Sequence, residues 1–176
     1  MKREFEKMRS EEFYYFTDEE VLASYSKAKR LSARLQTMTT EDENYRKTIE
    51  DLIPDIPASS TVTPPFHCDH GHGIRLGENV FINNNCTMLD GGIITIGRNT
   101  QIVPNCQLLT PSHPIDYVER RKPIERNSPI SIGEDFMWKC FSVLQTTETQ
   151  IEIRYSQNWT VQKRAIAKKG KSLSFA

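Results

Sequence analysis

Two interleaved combs with a spacing of six run through residues 74–108. Ile74, Val80 and Cys86, then after a two-residue skip Ile94, Thr100 and Cys106, are β-branched or small. Two places on, Leu76, Ile82, Met88, Ile96, Ile102 and Leu108 are large and aliphatic. A helix repeats its apolar positions every ~3.6 residues and an ordinary strand every ~2, so neither produces this spacing. Three short strands joined by corners do, each circuit of the chain making one triangular coil of a parallel β-helix. The corner sequences agree: Leu76-Gly77-Glu78-Asn79, Ile96-Gly97-Arg98-Asn99 and Ile132-Gly133-Glu134-Asp135. Gly and Asn are the residues that accept the positive φ of a sharp turn. An antiparallel meander would alternate without a period of six.

The flanks have other rhythms. Residues 1–57 read as helical. Thr17-Asp18-Glu19-Glu20 has capping-box spacing ahead of an apolar stripe of Val21, Tyr25, Ala28, Leu31 and Leu35. Thr40 with Glu43 offers a second box before Tyr45, Ile49 and Leu52, and Pro54 stops that helix. The two helices are expected to cap one end of the coil stack, joined to it by the Pro- and Ser/Thr-rich residues 54–65. The β-helix then occupies 58–135. Residues 109–129 leave the comb as a polar, proline-bounded loop extruded from a coil, the kind of segment that carries function on a rigid scaffold.

Phe66-His67-Cys68-Asp69-His70-Gly71-His72 invites a zinc reading. Strand alternation divides it, with His67, Asp69 and Gly71 facing one way and Cys68, His70 and His72 the other. No second ligand cluster completes a structural site, so no metal is expected. The four cysteines, two of them on comb positions, read as reduced core residues and point to the cytoplasm. No apolar run approaches the ~20 residues of a membrane span, and the charged start MKREFEK does not resemble a signal peptide. Net charge is zero, which marks neither a nucleic-acid partner nor a membrane surface.

Pro65-Phe66-x-Cys68-Asp69-x-Gly71, Asn83-x-Asn85, Leu89-Asp90 and Thr110-x-x-His113-Pro114, behind a short helical segment, resemble the maltose/galactoside O-acetyltransferase family. The resemblance covers roughly residues 5–135. It implies a left-handed parallel β-helix with a small α-helical cap, working as a homotrimer with active sites between neighbouring β-helices. It also implies transfer of acetyl from acetyl-CoA to a sugar hydroxyl. His113, in the extruded loop, matches the family's catalytic base, and imidazole suits removal of a hydroxyl proton near neutral pH. Glu125 matches a glutamate that orients the base. Asp18, Asp69, Asn83 and Asp90 match acceptor-binding positions.

The pattern breaks after residue 135. The family continues with further coils that supply most CoA contacts, so the cofactor positions fall in a divergent region, 136–176. Glu148 and Gln150 stand where the comb needs aliphatics, and residues 151–176 hold six basic side chains against one acidic. Trp138 to Ser142 can be encoded TGG AAA TGT TTC AGT, which shifted by one base reads Gly-Asn-Val-Ser, a family-like string. We hypothesise a frameshift near residue 136, leaving 136–176 out of frame; the alternative function is then an inactive, C-terminally damaged family member. The gene's nucleotide sequence tests this: a family-like coil should appear in another frame, and its absence from both would sink the hypothesis.

Overall fold

The computed structural model describes residues 1–137 in full and, beyond them, the backbone of residue 138 and of three further strands. The chain opens with helix α1 (Glu4–Arg9), strand β1 (Tyr14–Tyr15) and helices α2 (Glu19–Leu35) and α3 (Tyr45–Leu52). Short strands then follow one another around a triangle. The first coil is β2 (Thr61–Val62), β3 (Phe66–Cys68) and β4 (Ile74–Leu76); the second is β5 (Phe81–Ile82), β6 (Cys86–Leu89) and β7 (Ile94–Ile96). The third begins with β8 (Gln101–Ile102) and β9 (Gln107–Leu109). It leaves the stack as a hairpin of β10 (Pro111–Ser112) and β11 (Ile124–Asn127), and closes with β12 (Ile130–Ile132). The backbones of β13 (Met137–Trp138), β14 (Val143–Gln145) and β15 (Gln150–Tyr155) lie on β8, β9 and β12 as a fourth coil, and β16 (Val161–Ile166) pairs antiparallel with β15.

All rungs stack in parallel. Ile74 pairs with Ile94 and Ile94 with Ile130, while Leu76, Ile96 and Ile132 stack beside them. The comb residues Ile74, Val80, Ile82, Cys86, Met88, Ile94, Ile96, Ile102, Cys106 and Leu108 are all buried in one core. Asn79, Asn99 and Asp135 take positive φ at equivalent corners, and their side chains bond in a column: Asn79 Nδ2 to Asn99 Oδ1 at 3.1 Å, Asn99 Nδ2 to Asp135 Oδ1 at 2.8 Å. In the fourth coil the register departs from the spacing read in the sequence. Ile130 and Ile132 pair with Ile151 and Ile153, displaced from the 148 and 150 positions where the comb would continue. Most of the divergent tail, including the reading-frame question, lies outside the described residues.

Helix boundaries also differ from expectation. Asp18, one residue beyond Thr17, caps α2: its Oδ1 accepts from the backbone N–H of Glu20 (3.0 Å) and of Val21 (3.3 Å). Asn44 precedes α3 without a side-chain bond, and Thr39 with Asp42 forms a separate turn. Val21, Ala28, Leu31 and Leu35 are buried as the stripe required, but Tyr25 is exposed, its ring carrying the Lys29 ammonium 4.7 Å from the centroid. Helix α3 ends at Leu52, and Ile53 is already extended ahead of Pro54. The α2–α3 pair packs Leu35, Ile49, Leu52 and Ile53 onto Val62, Phe66 and Cys68 of the first coil.

A chain of polar contacts ties the N-terminal segment to that coil. Arg9 Nη2 lies 2.9 Å from His72 Nδ1, and Ser24 Oγ lies 2.8 Å from His72 Nε2 and 2.9 Å from His70 Nδ1. A guanidinium only donates, so His72 Nδ1 accepts from Arg9 and the His72 ring is neutral, with Ser24 Oγ joining its other nitrogen to His70. Burial, with Arg9 nearby, holds His70 down at about 3 and lowers His72; Lys29 acts in the same direction on His70 and Asp69 opposes. The unfolded chain therefore binds more protons between an ordinary histidine value of about 6.5 and the folded value. Stability should be intact above pH ~6.5 and fall on acidification, approaching ~1.4 kcal/mol per pH unit from His70 alone. Urea midpoints measured from pH 7 to 5 check this, and His70→Gln should flatten the slope.

Candidate functional site

The extruded loop of the sequence is a hairpin, and its register explains what it brings together. Pro111 pairs with Asn127 and Ser112 with Arg126, so His113, one residue further, stands opposite Glu125. On the other edge of β11, Tyr14 pairs with Glu125 and Tyr15 with Ile124. Strand order is thus β1-β11-β10, with Glu125 on the central strand. Directly opposed residues in antiparallel strands project to the same face. Tyr14, Glu125 and His113 are such a row, and Asn127, two residues along β11, shares their face.

The side chains engage accordingly. Glu125 Oε2 lies 3.9 Å from His113 Nε2, while His113 Nδ1 donates to the Ile124 carbonyl at 3.4 Å. A carbonyl only accepts, so Nδ1 carries a proton there, and Nε2 is the nitrogen that faces Glu125. Tyr14 Oη donates to Glu125 Oε1, and Asn127 Nδ2 donates to Tyr14 Oη at 3.1 Å. The His113 side chain is 54% exposed, against 19% for Glu125, so the imidazole meets solvent with a more buried carboxylate beside its Nε2. Burial raises the Glu125 pKa, and the Tyr14 bond and the neighbouring His113 oppose the rise. The Phe16 ring stands edge-on to His113 with centroids 6.5 Å apart. An accessible imidazole beside a carboxylate can take a proton from a hydroxyl and hold the resulting charge.

The other sequence candidates separate. Asp69 belongs to this neighbourhood: half-buried, it pairs with Lys29 at 3.0 Å, and its charge acts on both Tyr14 and Glu125. Asn83 sits at a coil corner where its Oδ1 accepts from the Asn84 N–H at 2.8 Å; among the described residues no hydrogen bond or ion pair joins it to His113. Asp18 commits Oδ1 to the α2 cap. Asp90 is completely buried, and its carboxylate accepts from the backbone N–H of Asp69 (3.1 Å), His70 (2.8 Å) and Gly73 (2.9 Å), so it holds the corner of the first coil. Among the described residues no group of three His, Cys, Asp or Glu side chains could hold a metal ion. Cys68 sits buried in the core while His70 and His72 serve Ser24 and Arg9.

Tyr14 and Asn127 were not among the residues the motifs indicated. The signal for Tyr14 was the run Phe13-Tyr14-Tyr15-Phe16, four strand-favouring aromatics between two helices.

Comparison with known proteins fits this geometry. No family model matches the chain. A Schizosaccharomyces pombe protein named as an acetyltransferase is 34% identical over 145 residues, spanning 77% of this chain and 70% of its own length. Nodulation protein L of Rhizobium leguminosarum bv. viciae is 34% identical over 129 residues, 73% of this chain and 68% of that protein. Among solved structures, a hexapeptide-repeat acetyltransferase of Vibrio cholerae O1 biovar eltor, complexed with acetyl-coenzyme A, superposes with a TM-score of 0.71 at 29% identity. That superposition covers 97% of this chain and 100% of the other. The chain belongs to the hexapeptide-repeat acetyltransferases. Its coil stack is the left-handed parallel β-helix of these acyltransferases. Maltose O-acetyltransferase of Clostridium difficile 630 is a further likeness, with a TM-score of 0.77 at 26% identity over 93% of this chain and 97% of that one.

The hydrogen bonds of Asp90 and Asp18 have thermodynamic consequences. Asp90→Ala strands three backbone donors, at about 1–3 kcal/mol for each buried group left unpaired, and should lower the urea midpoint severely. Asp18→Ala should cost about 1 kcal/mol, the ordinary loss of a helix cap. Denaturation of the two variants checks both.

Proposed function

We propose that this protein transfers acetyl from acetyl-CoA to a hydroxyl of a small sugar, of maltose, glucose or galactoside type, with His113 as general base. The observation that carries the reading is the row His113–Glu125–Tyr14, an accessible imidazole beside a more buried carboxylate. The likeness to a maltose O-acetyltransferase supports the sugar acceptor, and the Vibrio relative complexed with acetyl-coenzyme A supports the donor.

In this mechanism His113 Nε2 takes the acceptor hydroxyl proton as the oxygen attacks the thioester carbonyl. The tetrahedral adduct collapses with cleavage of the C–S bond, and the imidazolium returns its proton to the departing thiolate. Glu125 offsets the transient positive charge. At 3.9 Å that attraction lies between about 1 kcal/mol at the dielectric of water and about 4 kcal/mol at an effective value near 20. Asp69, Asn83 and the second carboxylate oxygen of Asp18 are the acceptor contacts in this reading. Asn83 would serve an acceptor bound between subunits of a homotrimer. The residues that hold CoA would fall after 135, outside those described with side chains. Cys68, Cys86 and Cys106 form no disulfide among the described residues, which suits a reducing cytoplasm.

The competing reading, a member without turnover, draws on the composition of residues 151–176. Release of free thiol from acetyl-CoA with a panel of sugars separates the two. Active protein should lose about 100-fold or more of kcat on His113→Ala, the scale of general-base contributions. Unchanged turnover in that variant would defeat the assignment of the base. Absence of turnover together with calorimetry showing no acetyl-CoA binding would select the inactive reading.

A further inference from the structure

Tyr14 is 1% exposed, packed with Met8, Val21, Phe5 and Phe16 in a small core separate from that of the coils. Packing alone would be met by a phenylalanine. The hydroxyl is what requires explanation, because a buried phenol without partners costs free energy. It has two partners of opposite sense. Asn127 Nδ2 can only donate, so Tyr14 Oη accepts there and its single proton goes to Glu125 Oε1. Asn127 is itself held in place, its amide filling the space that a Cβ on Gly91 would need.

We propose that Tyr14 is a positioning residue for the acetyl-transfer reaction, its hydroxyl fixing one oxygen of Glu125 so that the other faces His113. This rests on the reading of His113 as base. The proton direction makes Glu125 Oε1 an acceptor, and a bond donated to that oxygen favours the ionised form, which can oppose an imidazolium. Pairing of β1 with β11 fixes the distance, because Tyr14 and Glu125 are opposed across the sheet and cannot slip by one residue without moving Tyr14 to the other face. The α1–β1–α2 segment therefore supplies part of the active site as well as covering the coil stack.

The test is Tyr14→Phe in the full-length protein, with the kcat/KM profile followed against pH beside wild type and His113→Ala. The ring remains, so thermal unfolding should stay cooperative. The expected result is a fall in kcat of about 10–100-fold, the loss of one hydrogen bond to a charged group, with KM for acetyl-CoA within about twofold. The acid limb should move to higher pH, because the bond that opposes the burial-driven rise of Glu125 has gone. In a Glu125→Gln background the same substitution should have little further effect. Replacing Tyr14 with 3-fluorotyrosine, nearly isosteric and a stronger donor, should move the limb to lower pH, and this keeps the test open were Tyr14→Phe to unfold. Profiles of both Tyr14 variants superimposing on wild type, with His113→Ala inactive, would overturn the inference. Full activity in His113→Ala would overturn the reading of the base and this inference with it, by a separate outcome.

Discussion

The molecule depends on the parallel ladder between successive coils. Each strand is only two to four residues long through the first three coils, too short to be stable alone, and gains its hydrogen bonds from the coils above and below. In-register stacking then does two things together. It aligns Ile74, Ile94 and Ile130 into one apolar column, and it forces whatever stands at a corner to repeat one coil later. One corner does not repeat cleanly. Between the second and third strands of every complete coil the chain is longer than six-residue spacing allows: Asp69 to Gly73, then Asp90 to Gly92, then the β10–β11 hairpin. The histidine relay, the buried aspartate and the candidate base all lie along this one edge.

Stacking also decides how that edge is satisfied. A widened corner leaves backbone N–H groups outside the ladder, and buried donors need acceptors. Asp90 of the second coil supplies them to Asp69, His70 and Gly73 of the first, and Thr110 of the third accepts from the Gly92 N–H of the second at 2.9 Å. Each loop is thus held by a side chain from the next coil. Arg9 joins the same edge from α1, donating to the Gly91 carbonyl at 2.8 Å as well as meeting His72. Gly73 lies directly under Arg9 and Asp90, where a side chain would collide with both.

These couplings explain what could be read from the residues alone. The comb was legible because each of its positions faces a core with a fixed period, and the segment 109–129 was legible because it leaves that period. Asp90 carried a motif signal yet serves the backbone, since spacing cannot say whether a carboxylate faces solvent or three buried N–H groups. Asp18 and Thr17 both make good caps, and the choice between them rests on where the chain leaves β1. Tyr14 was illegible for a deeper reason: its role depends on pairing between residues 14 and 125, a contact with no local pattern. In the fourth coil the backbones of Ile151 and Ile153 pair with those of Ile130 and Ile132, a register that the six-residue comb does not anticipate.

A site built from segments so far apart in sequence carries an energetic conflict. Glu125 must be buried enough for its charge to act strongly on His113, and that burial raises its pKa and favours the neutral acid, which could not oppose an imidazolium. A phenol donor opposes that rise without adding a competing charge. A lysine at the same place would hold the carboxylate ionised but would also repel the imidazolium that forms in the reaction. An aliphatic residue would let the carboxylate protonate. The Tyr14 hydroxyl stabilises the anion through one directional bond and leaves the second oxygen facing His113. The N-terminal strand that delivers it is held by the Met8–Val21 core and, through Arg9, by the same corner that Asp90 closes. The hairpin that carries His113 is therefore held by interactions running back through the coils beneath it.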